Sequence, residues 1–507
     1  MKKYLKISGL IVLALSAVLT SCEGSLDINE SPNDATVELV QPDLLLAGAI
    51  SHPRTRFEVT TSETGSILMN QWAGDINNVT GGFQDEFRLN FTQNYAPGSA
   101  IWRDLFRNSG TYQSIIDYDG DEYGSHKAIA KILKTYYFQY LVDLYGDIPY
   151  SEALQFGANL TPAYDDDKAI YRDFIVQLDA AIAALNSADQ YIAVGGEDTV
   201  FNGDTASWIQ VANTLKLRVL LRQAELALTD SETATYLATE FAALDNNFLT
   251  TDAVIQPGYV DQDGQQNPFW ANYGQDTAGN DTFDNDFIVP SDYMAEFLKG
   301  NTTENGVNTG VYDNRLTRLF EPVSQGPDAG QVVGVIQGET NVNAPQELSE
   351  LGPGLLVGPG QDSYLFTAAE SYFLQAEAIE RGYITTGSAQ TMFENGITAS
   401  FNLLGAPGAA AYITASSNTN LIGWTGNKIE SIMTQKWIAL CGINAIESWI
   451  DYTKTGFPAV PLPIIAEETS RPNRLLYPAS EYSTNSGNVP NQPASNAFST
   501  NIFWDVN

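Results

Sequence analysis

Between residues 129 and 144 the large apolar side chains Ile129, Ile132, Leu133, Tyr136, Tyr137, Tyr140, Leu141 and Leu144 recur at steps of three and four. Only an α-helix puts such a series on one face. Gly146 and then Pro149 mark its end, glycine just past the last turn and proline beyond it. The same period returns after the acidic run Asp165-Asp166-Asp167, in Tyr171, Phe174, Ile175, Leu178, Ile182 and Leu185. Carboxylates suit the partial positive charge of a helix start, which accounts for the run better than a metal site does. Asp204 or Thr205 can cap a third helix through Trp208, Val211, Ala212, Leu215 and Val219, with Lys216, Arg218 and Arg222 on or near its wet side. Further stripes follow at Ala369, Tyr372, Phe373 and Ala376, at Met392, Phe393, Ile397 and Phe401, and at Ile432, Met433, Trp437 and Leu440. Helices paired across short turns indicate a mainly all-α, helical-repeat scaffold, although no fixed repeat period is visible. From about residue 223 to 360 the period weakens and Gly, Asn, Asp and Gln gather around isolated aromatics, the composition of a loop-rich, irregular insertion. The glycines between 352 and 360 lack phosphate-loop spacing, and their prolines remove amide donors, so that stretch is a turn region.

A length of 507 residues suggests two or three domains, and 43% hydrophobic against 17% charged residues allows a large core. The 25 Lys and Arg against 61 Asp and Glu give a formal charge of -36, which excludes nucleic acid as a partner and an electrostatic grip on anionic lipid. Membrane attachment needs another device, and the N-terminus supplies one. Lys2, Lys3 and Lys6 precede an apolar stretch from Ile7 to Leu19 that is too short to span a bilayer and has the form of a secretory signal. Leu19-Thr20-Ser21-Cys22 resembles a bacterial lipobox, which implies a lipoprotein signal peptide over 1–21, an acylated first residue at Cys22 and an acidic tether over 22–32, against the alternative of an ordinary signal peptide with an incidental cysteine. Acyl chains contribute roughly 0.8 kcal/mol per buried methylene, enough to hold an acidic protein on a membrane through lipid alone. Cys441, the other cysteine, lies in an apolar run as a small buried hydrophobe, and no disulfide framework can form.

The residues of catalysis are sparse. His52 and His126 are the only histidines, neither in a metal-ligand spacing, and no Gly-x-Ser-x-Gly elbow occurs. A glycoside hydrolase needs only two carboxylates, so abundance of acid cannot test that alternative, but strong helical periodicity argues against most such folds. A helical-repeat lipoprotein that binds peptide or protein shares every scaffold feature. Sugar binding instead pairs aromatic faces with Asn, Gln and Asp. Three places fit: Trp72, Phe83 and Tyr95 with Asp75, Asn77 and Asn78 between them; Phe269, Trp270, Tyr273 and Phe283 in the polar loop from Asp261 to Phe287; and Trp424 between Gly423 and Thr425. Against each stands the alternative that the ring pins a loop to the scaffold. No cofactor is expected. Asp261-x-Asp263-Gly264 shares part of a calcium-loop pattern with its glycine misplaced, which leaves a structural calcium open.

Several segments, in order, resemble the SusD/RagB family, in its SusD-like branch. They are Ile28-Asn29-Glu30-Ser31-Pro32-Asn33 with Pro42-Asp43-Leu44-Leu45-Leu46, then Asp143-Leu144-Tyr145-Gly146-Asp147-Ile148-Pro149-Tyr150, then Gly203-Asp204 with Trp208 and Ala212 to Arg218. Asn267-Pro268-Phe269-Trp270, Asp313-Asn314-Arg315-Leu316, Gln375-Ala376-Glu377-Ala378 with Arg381-Gly382, and Arg474-Leu475-Leu476-Tyr477-Pro478 continue the series. Asn314 departs from the family's usual proline. The resemblance implies a tetratricopeptide-like scaffold over 33–507 and a lipid-anchored protein exposed at the outer-membrane surface. It implies capture of a glycan for a SusC-like TonB-dependent transporter without chemistry. It also implies buried structural pairings for Asp147 and Arg218.

Overall fold

The computed structural model describes residues 40–52, 57–75, 82–340 and 343–507. The signal peptide, Cys22 and the tether lie outside the described residues, as do Asn77 and Asn78. The scaffold consists of helices α1 (Pro42–Ser51), α2 (Ser62–Leu68), α3 (Ala96–Asp117), α4 (Gly124–Tyr145), α5 (Asp167–Leu185), α6 (Thr205–Arg222) and α7 (Ser231–Ala243). After the insertion come α8 (Ala368–Glu380), α9 (Ala389–Leu404), α10 (Lys428–Leu440) and α11 (Ala445–Thr455). Successive helices pack as neighbours, α3 on α4, α4 on α5, α5 on α6 and α8 on α9, while α6 meets α8 and α11 returns to α2. The expected helical scaffold is therefore present, and residues 42–507 form one unit. Among the described residues no helix is long and apolar enough to cross a membrane.

The caps explain the boundaries. Asp166 accepts from the Ala169 amide at 2.9 Å to start α5, Asp204 from Ala206 at 3.3 Å to start α6, and Asp230 from Thr233 at 3.2 Å to start α7. Gly146, at a φ of 74° that a side chain would strain, ends α4 with its amide on Val142 O. Helices α1, α2, α3, α7 and α11 exceed the sequence reading, and two of them show why. Helix α3 carries a thin stripe of Ile101, Trp102, Leu105, Tyr112 and Ile115 among polar residues, with Pro97 in its first turn as the available signal. Helix α7 occupies part of the stretch expected to be loops, because Asp230 caps it and Leu237 and Phe241 fasten it to the core.

Two short antiparallel pairs complete the fold. Strand β1 (Trp72–Gly74) and strand β2 (Ala253–Ile255) precede β3 (Ile288–Pro290) and β4 (Ser363–Phe366). In the first pair Trp72 faces Pro290 and Gly74 faces Ile288. In the second, β2 lies on β4, which joins the early part of the loop-rich stretch to the segment that leads into α8.

Burial corrects the expectation that Lys216, Arg218 and Arg222 stay near water: all three are enclosed. Helix α6 is covered by α4 and α5 on one side and α8 on the other, so its polar face looks onto other helices. There Arg222 Nη2 donates to Glu447 Oε2 at 2.7 Å and Nη1 to Asp451 Oδ1 at 3.2 Å, with Nε 3.3 Å from Asp143 Oδ2. Arg218 donates to Gln139 Oε1 at 3.0 Å, Tyr140 Oη at 3.1 Å and Glu370 Oε1 at 3.2 Å. Lys436 Nζ lies 2.8 Å from Asp451 Oδ2, and Lys454 Nζ donates to both oxygens of Glu377 at 2.8 and 3.0 Å. Burial disfavours the Glu447 anion, but Arg222, Arg218 and Lys436 outweigh it and hold the carboxyl well below its usual range. Lys454 and Arg381 do the same for Glu377, down to about 2. Arg218 is thus a buried structural pairing. Asp147 is not buried, which corrects the expected buried pairing; its Oδ1 accepts the Asp167 amide at 3.0 Å at the start of α5.

Candidate functional site

The β1–β3 pair brings the first polar aromatic loop beside the second. Where the strands end, the Phe83 ring stacks on Phe287 at 5.1 Å and 27°, and Phe283 stacks on the same ring at 5.7 Å and 25°. Phe283 and Phe287 share a helix face because they are four residues apart in the turn Phe283–Phe287, which Thr282 caps by accepting from Asn285 N at 3.2 Å. Phe287 reaches between them because the backbone beside it is glycine. A Cβ at Gly74 would sit 2.6 Å from its Cζ, and one at Gly82 would sit 2.3 Å away. Phe287 is buried, Phe83 half-buried, and Phe283 is 63% exposed. The result is a ladder of three rings with its outer rung in solvent.

Polar groups surround the outer rung. Asn272 Nδ2 donates to Asp284 Oδ2 at 2.8 Å, and Thr282 Oγ1 donates to Asn272 O at 2.6 Å, which locks the segment carrying Phe283 to the helix Pro268–Tyr273. That helix and the following turn border an open concavity of about 540 Å³, lined by Val59, Asp263, Gln266, Ala271, Asn272 and Asp276. Asp276 accepts from Ala278 N at 2.8 Å and Asn280 N at 2.9 Å, and the Asn280 hydrogen bonds keep it ionised below its usual range. Beneath the surface, burial first and the charge of Asp284 second push the Glu63 carboxyl up to about 8, although Tyr273 Oη donates to it at 3.2 Å. The surface is therefore acidic and hydrogen-bonding with an aromatic step, a combination that stacks on C–H faces and pairs hydroxyls.

Of the rings expected to touch ligand, Phe83 and Phe283 meet here. Trp72, Tyr95, Phe269 and Tyr273 do not. Trp72 packs edge-on to Tyr273 at 5.4 Å, Phe269 lies 4.7 Å from Tyr273, and Tyr95 is enclosed with its hydroxyl donating to Glu86 Oε1 at 2.8 Å. These four rings are enclosed, which corrects the expectation that they stand open to a ligand, and of them Phe269 borders a small crevice beside Leu355 and Tyr364. Trp270 is half-buried, its ring so close to the backbone that a Cβ at Gly274 would lie 2.7 Å from Cδ2. Trp424 stands apart from both loops in a second apolar cluster, tilted on Phe393 at 5.2 Å with Lys428 Nζ 5.4 Å above it. Phe287 was missed by sequence reasoning; its spacing of four from Phe283 was the available signal.

The partial calcium pattern is used internally, since Asp261 Oδ1 accepts from Gln266 Nε2 at 2.8 Å. Among the described residues the carboxylates that converge are Asp147, Asp166 and Asp167, with oxygens within 4.8 Å of one another. Each already accepts a backbone amide at the start of α5 or, for Asp167 Oδ2, from Phe503 at 3.0 Å. His126 Nε2 lies 3.0 Å from Glu197 Oε1 inside the protein, and Cys441 is buried with its thiol pushed up by that burial.

A sequence model of the SusD-like family, described as "Starch-binding associating with outer membrane", matches residues 34–478. A search of curated proteins finds no match. Among solved structures, a chitin-binding SusD homolog from Flavobacterium johnsoniae is 24% identical, with a TM-score of 0.70 over 91% of this chain and 99% of its own. A SusD-like protein from Bacteroides thetaiotaomicron VPI-5482 is 20% identical, with a TM-score of 0.71 over 92% of this chain and 99% of its own. A SusD homolog from Parabacteroides distasonis ATCC 8503 is also 20% identical, with a TM-score of 0.72 over 92% and 98%. At these identities the likeness establishes the fold.

Proposed function

The chain belongs to the SusD-like family, and from that premise we propose that it is a non-catalytic surface lipoprotein that holds a glycan on the Phe83–Phe287–Phe283 ladder and delivers it to a TonB-dependent outer-membrane transporter. The ladder carries the reading. A ring 63% exposed, supported from behind by two stacked rings and flanked by Asn272 and Asp284, is laid out for a sugar face rather than for the core. Family membership supplies the ligand class, and the Flavobacterium johnsoniae homolog makes chitin oligosaccharides a natural first ligand beside starch. Attachment through an acylated Cys22 fits a chain whose described helices do not span a membrane and whose charge would repel anionic lipid.

Binding without chemistry is supported by the placement of the reactive groups. The thiol is buried, His126 is held inside against Glu197, and the carboxyl raised to about 8, Glu63, receives the Tyr273 hydroxyl from a ring with no exposed face. Incubation of the purified protein with starch and chitin oligosaccharides should retard its migration in affinity gels and release no reducing ends over time. Release that scales with protein and vanishes on Glu63→Gln or Asp284→Asn would overturn the binding-protein reading in favour of a glycosidase.

A further inference from the structure

A second polar cavity lies away from the ladder, on the helical scaffold. It is about 380 Å³, at the lower end of volumes that hold small ligands, and it is bounded by α3, α4, α5 and the loop after Pro149. Its walls carry charges of both signs. Lys131 and Lys134 sit one turn apart on α4, Asp117 closes α3, and Asp173 comes from α5.

Opposite charges facing one cavity ordinarily close into ion pairs, and among the described residues these four do not. Lys134 Nζ instead donates to Gln113 Oε1 at 2.6 Å, and Gln113 Nε2 donates to Asp117 Oδ1 at 2.8 Å, so one neutral amide stands between cation and anion. Asp173 Oδ2 accepts from Tyr150 Oη at 2.6 Å, with Gln177 Nε2 at 3.3 Å. An ammonium has three donors and a carboxylate about four acceptor sites, so these hydrogen bonds leave each charge with capacity for a guest, and Lys134 Nζ also stands 5.4 Å over the Phe138 and Tyr150 rings. Burial pulls the Lys134 ammonium below its usual range, against the opposing pull of Asp117 and Asp173, which line the same cavity.

The wall opposite is preorganised. Asp165 Oδ2 accepts from both Tyr150 N and Ser151 N at 2.9 Å, and Oδ1 from Ser151 Oγ at 2.6 Å, which fixes the rim before any guest arrives. Ile116 and Leu154 add an apolar patch to the lining. An anion would gain two lysines but meet two aspartates, and a cation would meet the reverse. A hydroxyl accepts from an ammonium and donates to a carboxylate at once, so a neutral polyol uses both signs without paying for either. We propose that this cavity is a second saccharide subsite, which takes one or two rings of a neutral sugar independently of the ladder.

The test places a reporter at the cavity mouth. Gln155 is an exposed lining residue without a side-chain hydrogen bond among those described, and Cys441 is buried, so Gln155→Cys in the full-length Cys22→Ser chain offers one reactive thiol. Phe83→Ala and Phe283→Ala are added to disable the ladder. Alkylation is then followed with glucose, N-acetylglucosamine and their 1,4-linked disaccharides. At least one should slow the reaction saturably. Lys131→Ala or Asp117→Asn, both on partly open side chains, should raise the half-saturating concentration at least tenfold with the melting temperature unchanged. Three results would overturn the proposal: no sugar protects the thiol, sodium acetate or sulfate protects it equally well, or protection is indifferent to both variants. Loss of glycan binding at the ladder with protection retained would sink the proposed function and leave this subsite standing.

Discussion

Glu63 shows how single side chains here are set by what covers them. Burial is the first cause of its raised carboxyl, Asp284 the second, while the Tyr273 hydroxyl works the other way. Its folded value, about 8, lies above the ordinary 4.5, so the stability it contributes is complete below 4.5 and is lost as pH rises towards 8. Glu63→Gln should flatten that decline and stabilise the protein above pH 8 by on the order of a few kcal/mol, read from denaturant unfolding across the pH range. A decline equally steep in the variant would show that another group titrates. The same dependence on cover explains the aromatic residues. Composition located the loops that hold Phe83 and Phe283, but it could not tell which rings the fold would enclose. Trp72 and Phe283 both sit among Asp, Asn and Gly in the sequence, yet one is sealed against Tyr273 and Cys441's neighbourhood while the other stands in water.

At the scale of elements, periodicity predicted helices α4, α5, α6, α8, α9 and α10 because each has a stripe of large apolar residues and, in most, a capping side chain at its start. It missed α3, whose stripe is thin, and it misjudged the far side of α6. Period alone assigns Arg218 and Arg222 to water; it carries no information that another layer of helices covers them. There they join α4, α6, α8, α10 and α11 through Asp143, Glu370, Glu447, Asp451 and Lys436. Removing one member leaves the others buried and uncompensated, which costs more than the pair contributes. Arg222→Met should therefore destabilise by about 3–5 kcal/mol, whereas an exposed pair such as Arg88–Glu467 should yield under about 1 kcal/mol on Arg88→Ala. Chemical denaturation of the two variants in parallel checks the contrast, and equal effects would mean that the network is not what joins the layers.

For the whole molecule, the fold follows from helix layers that spend their apolar faces and their buried charges on one another, which leaves the loops to meet ligand. The acidic surface that keeps such a protein off anionic lipid is the reason to propose the N-terminal lipid as its attachment. Cys22→Ala should move it from the membrane fraction or leave it as uncleaved precursor, and mature protein still bound to membrane would rule out the anchor. Glycan binding at the ladder can be read by isothermal titration of a starch or chitin oligosaccharide into the wild-type protein, Phe283→Ala and Trp72→Ala. Phe283→Ala should weaken binding at least tenfold, within the roughly 1–3 kcal/mol of a central contact, with the thermal midpoint unchanged. Trp72→Ala, in contrast, should lose about 3–5 kcal/mol of stability. Wild-type affinity retained by Phe283→Ala, in a protein that binds the oligosaccharide, would place the glycan elsewhere and remove the ladder as its site.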